Sequence, residues 1–379
     1  FAFAVALSAA LAGIAYGAEV VVEQKMAEMM KAQVLEILST EDQPIYAASA
    51  TQQTLRAEIL SGTEKGAVVT AKGDYLHLKV GDIFYLVHRI EPLDGIDVYY
   101  VSDPDRMSML YIVGALFMLC LVLFGGWQGI RGFVSLVASI LVIFYLFLPG
   151  ILNGYSPALL SIGIASLIIL VGSYVTHGFT KTTTSAVIGM LGTVTITGLL
   201  AYWSVDAGRL TGFTSDETVY LSYGSQGGLD LVGLLLGGML IGLLGVLYDS
   251  AIGQAVAVEE LHRIGPHVPR WTVYKRALRI GREHIGALVN TLAIAYVGAS
   301  LPLLLLFSQY VTPSSVITTV NREIFASEIL RILIGSIGLI LAVPITTLVA
   351  VLILIKRTPT NRQVVQQEEK KIEEFEHRH

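Results

Sequence analysis

Asp249 is the residue in this sequence best placed to do chemistry, because of what surrounds it. The uncharged run Leu231–Tyr248 spans 18 residues before it, and nine more uncharged residues follow, up to Val258. A carboxylate facing lipid is costly, so an intramembrane Asp is expected to face a bundle interior and to mark an ion or proton path. Asp249 stands ten residues before Glu259, about 15 Å along a helix. Asn290 stands seven residues after Glu283, about 10 Å in by the same rule. Thr346 and Thr347 stand ten and nine residues before Lys356, and Thr193 twelve after Lys181. Five polar side chains on four spans are thus expected to share one slab of the membrane, with Thr291 and Gln254 able to join them. Pro344 can break the helix ladder near that depth and free a carbonyl. The chemistry that this set could support is reversible protonation of Asp249, with Asn290, Thr291, Thr346, Thr347, Thr193 and Gln254 as hydrogen-bond partners. The same groups would also serve as plain interhelix glue. Gly233/Gly237 and Gly238/Gly242 are small-xxx-small pairs that let helices approach closely.

The elements that must position these residues are membrane spans. The chain has 379 residues, 54% of them hydrophobic and only 15% charged, at a mean hydropathy of +0.66. Soluble domains average about a quarter charged. Seven apolar stretches follow residue 100, at 107–126, 133–150, 156–176, 183–203, 230–257, 285–307 and 329–355. With residues 18–106 placed outside, the positions near inside span ends hold ten Lys/Arg: 131, 181, 263, 270, 275, 276, 279, 282, 356 and 357. The outside loops hold two, Arg209 and Arg322. The positive-inside rule therefore predicts residues 18–106 extracytoplasmic and the C-terminus cytoplasmic. Phe1–Gly17 reads as an anchor helix, although the small residues of "AYGA" would also suit a signal-peptidase site.

The region before the spans carries "QTLRAEILSG", "GAVVTAKGDYLHLKVGDIFYLVHRI" and "IDVYYVSD", short β-branched and aromatic runs punctuated by Gly and Asp. Four to six strands in about 70 residues predict a small barrel of OB-like size. Residues 19–35, rich in Met, Ala, Glu and Lys, are expected to extend the anchor helix. The predicted divisions are 1–35 anchor and extension, 36–106 β domain, 107–357 helical domain and 358–379 cytoplasmic tail. After the fifth span, Trp271, Tyr274 and Leu278 can share one face of a helix ringed by Arg270, Lys275, Arg276, Arg279 and Arg282. Such a helix lies in the membrane interface.

Enzyme chemistry has no motif behind it. The His-Glu-x-x-His of zinc proteases is absent, "EELHR" is one residue short of Glu-Glu-x-x-x-Arg, and neither a Gly-x-Ser-x-Gly elbow nor a P-loop occurs. His262 and His267 have no third ligand nearby. The single cysteine, Cys120, permits no disulfide within one chain. No metal, no cofactor and no nucleic-acid partner is expected.

The stretches "GLLLGGMLIGLLGVLYDSAIGQAVAVEEL" and "GREHIGALVNTLAIAYVGASLPLLLL", with "ILSGTEKGAVVTAKGDYLHLKVGD" and "SDPDR", resemble the YibE/F family of bacterial multi-spanning membrane proteins. The resemblance extends over nearly the whole chain. It implies an architecture and a bacterial inner membrane, and little chemistry. The order of "DSA", "EEL", a basic linker, "REHI" and "NTLA" is more distantly similar to the last three helices of SecD/SecF and of RND exporters. There an intramembrane Asp takes part in proton coupling, a role that falls by position on Asp249 alone. The expected fold is an α-helical integral membrane bundle, seven spans plus an N-terminal anchor helix, with a small extracytoplasmic β-barrel-like (OB-like) domain. Two functions fit it. One is an ion-coupled transporter or exporter with Asp249 as protonatable group. The other is a non-transporting scaffold or export accessory whose outside domain binds a partner. The expected partners are membrane lipids and a transported substrate or partner protein, with a homo-oligomer left open.

Overall fold

A computed structural model of the chain describes residues 29–45, 48–74, 77–90, 97–224, 228–310 and 316–355. The expected anchor helix over 1–17 and the tail over 358–379 lie outside the described residues. The chain divides into two compact units, Phe1–Leu123 and Phe124–His379.

The first unit is built around five strands: β1 Met29–Ile45, β2 Ala48–Ile59, β3 Val68–Asp74, β4 Ile83–Ile90 and β5 Asp97–Pro104. They close into a barrel in the order β1-β2-β3-β5-β4. Every neighbouring pair is antiparallel except β3 and β5, which run parallel and meet at Ala71 opposite Tyr99 and Lys72 opposite Tyr100. Alternation places Met30, Ala32 and Val34 of β1, Leu55, Ala57 and Ile59 of β2, and Phe84 and Leu86 of β4 in the interior. Ile83, Tyr85 and Val87 share the opposite face of β4. The barrel begins earlier than expected. Residues 29–35, read from composition as helix, form the start of β1, because their Met-x-Ala-x-Val alternation fills the barrel core and tertiary packing overrides helix propensity.

Helix α1, Met107–Val142, follows the barrel directly. Asp105 sets its start, accepting a hydrogen bond from the Met107 amide at 3.0 Å and pairing with the β1 side chain Lys31 at 2.9 Å. At Gly126 the backbone leaves helical geometry, with φ 53° and ψ −140°, a conformation open only to glycine. A wider π turn at Ile143–Phe147 leads to α2, Leu148–Leu152.

The rest of the second unit comprises α3 Pro157–His177, α4 Lys181–Ala207, α5 Asp216–Gly224, α6 Leu231–Ile264, α7 Arg270–Ala299, α8 Leu301–Tyr310, α9 Val316–Val320 and α10 Glu323–Leu354. Among the described residues five helices are long and apolar enough to cross a membrane, or six if α7 and α8, bent by 70°, make one span. The seven expected spans differ from this because 107–126 and 133–150 run together as one helical stretch of 46 residues, Met107–Leu152. Helix α6 is central, packing on α3, α4, α7 and α10, while α10 packs on α4, α6 and α7. Lipid supplies no hydrophobic drive between helices, so close packing rests on small residues. A methyl at Gly198 would meet Ile162 at 2.8 Å, and one at Gly338 would meet Thr197 at 2.7 Å. Glu323 joins the start of α10 to the α4–α5 connection, accepting hydrogen bonds from the Thr211 and Gly212 amides and the Thr211 hydroxyl.

Candidate functional site

Three helices bring polar side chains into the interior of the second unit, and a fourth, α7, packs a glycine against them. Helix α4 contributes Thr193 and Thr197, one turn apart and both fully buried. Each hydroxyl donates to the carbonyl four residues back, Thr193 to Gly189 at 2.9 Å and Thr197 to Thr193 at 2.8 Å. Their donors are thus satisfied within one helix, and their free lone pairs remain to accept. Helix α10 contributes Thr346 and Thr347, also fully buried. The Thr346 hydroxyl sits where a side chain on Gly189 would be, and has no hydrogen-bond partner among the described residues. The Thr347 hydroxyl lies 2.6 Å from the Val343 carbonyl and 2.8 Å from Gln254 Oε1, and its single proton serves both. Helix α6 contributes Gln254, 5% exposed, whose amide packs on Gly281 of α7. Ser250, one turn before Gln254, is buried with its hydroxyl unpartnered among the described residues. Across this seam Thr347 meets Gln254 by a hydrogen bond, and Thr346 packs on Gly189, one turn before Thr193.

Asp249 is not in the seam. Its side chain is exposed on the surface of α6, in line with the exposed Gly238, Gly242, Gly245 and Gly253. No hydrogen bond or ion pair reaches it among the described residues. The expected interior position is therefore corrected, and helical phase gives the reason. Gln254 follows Asp249 by five residues, about 140° around the helix, so shared depth does not mean a shared face. Asn290 and Thr291 are corrected likewise. Asn290 stands nine residues after the buried Gly281, half a turn around α7, and is exposed. Thr291 is exposed too, its hydroxyl donating to the Ala287 carbonyl at 2.9 Å. Neither meets Asp249 by a hydrogen bond.

The glycines of α6 divide by face. Gly233 is buried in the first turn, where its amide donates to Asp230 at 2.9 Å. Gly237 lies under the Phe147 ring and Gly242 under the Tyr296 hydroxyl, so neither position has room for a side chain. Gly238 faces the Arg331 guanidinium, whose Nη2 would be 4.0 Å from an added methyl.

Sequence reading missed a second polar cluster. Arg331 and Glu328 of α10 pair at 2.9 Å, and the Ser300 hydroxyl donates to the other Glu328 oxygen at 3.1 Å. The signal was present, since Arg331 falls two residues inside the apolar stretch 329–355. Also unforeseen was the work of the basic residues at helix ends. Arg131 donates to the Val175 carbonyl at 3.0 Å, and Arg270 to the Ile355 carbonyl. Each places a cation at a helix carboxyl terminus, where the backbone dipole favours it. On α7, Lys275 lies over the Trp271 ring at 5.5 Å. Among the described residues, no group of three His, Cys, Asp or Glu side chains could hold a metal ion.

No curated protein and no solved structure matches the chain. A family model described as YibE/F-like protein matches residues 113–356. The match takes in the seam, Asp249 and the Glu328–Arg331 pair, and starts beyond the barrel. It is thus narrower than the nearly full-length resemblance read from the sequence. On these grounds the chain belongs to the YibE/F-like family.

Proposed function

We propose that the protein is an ion-coupled membrane transporter or exporter in which Asp249 is the protonatable residue. The observation that carries this reading is a carboxylate in the middle of a long apolar helix, without a partner among the described residues and on a helix face lined by glycine. A charged Asp at the centre of a span costs about 2.5–3.5 kcal/mol on insertion scales. Taking up a proton removes the charge and most of that cost. Releasing it again needs water or a polar partner on this face. A residue alternating between those two states is a coupling residue. The buried seam of Thr193, Gln254, Thr346 and Thr347 then acts as the fixed polar interior against which α6 packs.

The same proposal includes the membrane placement: a multi-pass protein of the bacterial cytoplasmic membrane, residues 18–106 outside and the C-terminus inside. A straight helix of 46 residues would be about 69 Å long, over twice a bilayer core of about 30 Å. A break at Gly126 makes two crossings of it. With α3, α4, α6, the bent α7–α8 pair and α10, the crossings number seven. Arg131 and Arg270 then cap helix ends on the inside, in keeping with the ten-to-two Lys/Arg asymmetry.

Asp249→Asn keeps the shape and hydrogen-bonding capacity of the side chain but cannot titrate. The expected result is loss of rescue of a deletion phenotype, and loss of proton uptake in liposomes, with expression and melting temperature near wild type. Asp249→Glu should keep part of the activity. Full activity in Asp249→Asn would remove the coupling role and leave the scaffold reading, in which the outside domain binds a partner.

A further inference from the structure

The cluster around Arg331 is separate from the seam and from Asp249, and it has unused donors. Three helices build it. From α10 come Glu328 and Arg331, one turn apart. From the end of α7 come Tyr296 and Ser300, at the bend into α8. From α6 come Gly238, which leaves the space above it open, and Gly242, whose missing side chain makes room for the Tyr296 hydroxyl. Both oxygens of Glu328 are committed, one to Arg331 Nη1 at 2.9 Å and the other to the Ser300 hydroxyl at 3.1 Å. This leaves the side-on edge of the guanidinium, Nε with Nη2. Arg331 Nε is buried and has no hydrogen-bond partner among the described residues. Nη2 is turned toward Gly238, 4.0 Å from where a side chain there would begin. The Tyr296 hydroxyl, set over Gly242, is likewise buried and unpartnered among the described residues.

Buried polar groups are nearly always satisfied, and exceptions ask for a reason. Two such exceptions, from different helices, lie in this one cluster, with Tyr296 within electrostatic reach of Arg331 and Glu328. An arginine Nε–H can only donate, and a phenol can donate, so what they share is a demand for acceptor oxygens. The Nε/Nη2 edge matches two oxygens of one planar or tetrahedral oxyanion, the geometry in which arginine binds carboxylate and phosphate best. We propose that Arg331 and Tyr296 form a binding site for an oxyanion, a phosphate or carboxylate group, that enters over Gly238. Glu328 shares the cation with this ligand and so moderates its affinity, while Ser300 keeps Glu328 turned away from the free edge. The group is carried either by a lipid headgroup or by a soluble anion. The site does not depend on the role proposed for Asp249.

The test uses the full chain purified in a neutral, phosphate-free detergent. Inorganic phosphate and acetate are added in one arm, and phosphatidylglycerol in the other. Melting temperature is followed in both arms, and lipid retention by native mass spectrometry in the second. Stabilisation by phosphate or acetate identifies a soluble anion site, and stabilisation by phosphatidylglycerol alone identifies a headgroup site. In either case Arg331→Lys, which keeps the charge but loses the edge, should weaken the apparent Kd at least tenfold. Tyr296→Phe should weaken it several-fold. Glu328→Gln should tighten it, because the guanidinium is no longer shared. Gly238→Leu leaves every charged group in place and should block entry. The site is refuted if no probe shifts the melting temperature of the wild type, or if Arg331→Lys and Gly238→Leu both bind as the wild type does.

Discussion

At the scale of single residues, the interior is decided by one methylene or one hydroxyl. Gly189 lies directly against Thr346, whose Cα would stand 2.8 Å from an added methyl. Backbone cannot swing aside as a flexible side chain does, so Gly189→Ala should overpack the α4–α10 contact. The expected cost is about 1–3 kcal/mol, read as a lower melting temperature of the detergent-solubilised chain. Thr347→Val keeps the volume but strands Gln254 Oε1 without its donor. The expected loss is again about 1–3 kcal/mol, and Gln254→Leu in the same chain should recover part of it, since removing both partners leaves nothing unsatisfied. A double-mutant cycle that proves additive would show that the two side chains do not interact. Depth along the spans picked out Thr193, Gln254, Thr346 and Thr347, all of them buried, and of these Thr347 and Gln254 meet by a hydrogen bond. The direction in which Asp249 and Asn290 point was not legible. Depth along an axis and angle around it are independent coordinates, and a nearly all-apolar helix gives no polar stripe from which to read the angle.

At the scale of elements, the joint between barrel and helix α1 turns on Asp105. Lys31, which donates to its carboxylate, is the main cause holding Asp105 below the ordinary value of 3.8, with the Met107 amide second. Asp105 in turn is the main cause holding the Lys31 ammonium above its ordinary value. A carboxylate with a lowered folded pKa contributes stability that is complete above its unfolded value and lost as pH falls through the folded one. A raised lysine contributes stability that is complete below its unfolded value and lost as pH rises through the folded one. The joint should therefore be insensitive to pH through the neutral range, loosening in acid below about pH 4 and again in alkali above the ordinary lysine value of 10.5. Amide hydrogen exchange at Met107, corrected for intrinsic rate, should quicken in acid in the wild type. In Asp105→Asn the protection should be lower at neutral pH and flat with acidification; an unchanged acid response in that variant would assign the effect elsewhere. The strands of the barrel were readable from alternation, but the start of β1 was not. Met29–Leu35 is composed of helix formers with a buried period of two, and only closure of the barrel decides between those two signals.

At the scale of the whole molecule, the proposed orientation makes a direct prediction about access. In a Cys120→Ser background, Lys65→Cys in the β2–β3 connection should react with an impermeant maleimide on intact cells. Arg263→Cys, at the far end of α6, should react only after lysis. The reverse pattern would invert the topology and with it the assignment of Arg131 and Arg270 to inside caps. The barrel carries a further consequence, a mechanical one. Among the described residues it is sealed between β3 and β5 by two parallel pairs, at Ala71 and Lys72, whereas the β1–β2 ladder runs from Ala32 opposite Ile59 to Ile45 opposite Ala48. Strand β5 is also the strand that leads into α1. Tension drawn through that connection meets the β4 pairing at Pro104 first, and β5 stays zipped to β4 from Ile90 opposite Asp97 to Phe84 opposite Pro104, while the shorter seam with β3, further along the strand, is the one that parts. Under load the domain would open along one line into a curled sheet and snap shut when released, behaving as a clasp.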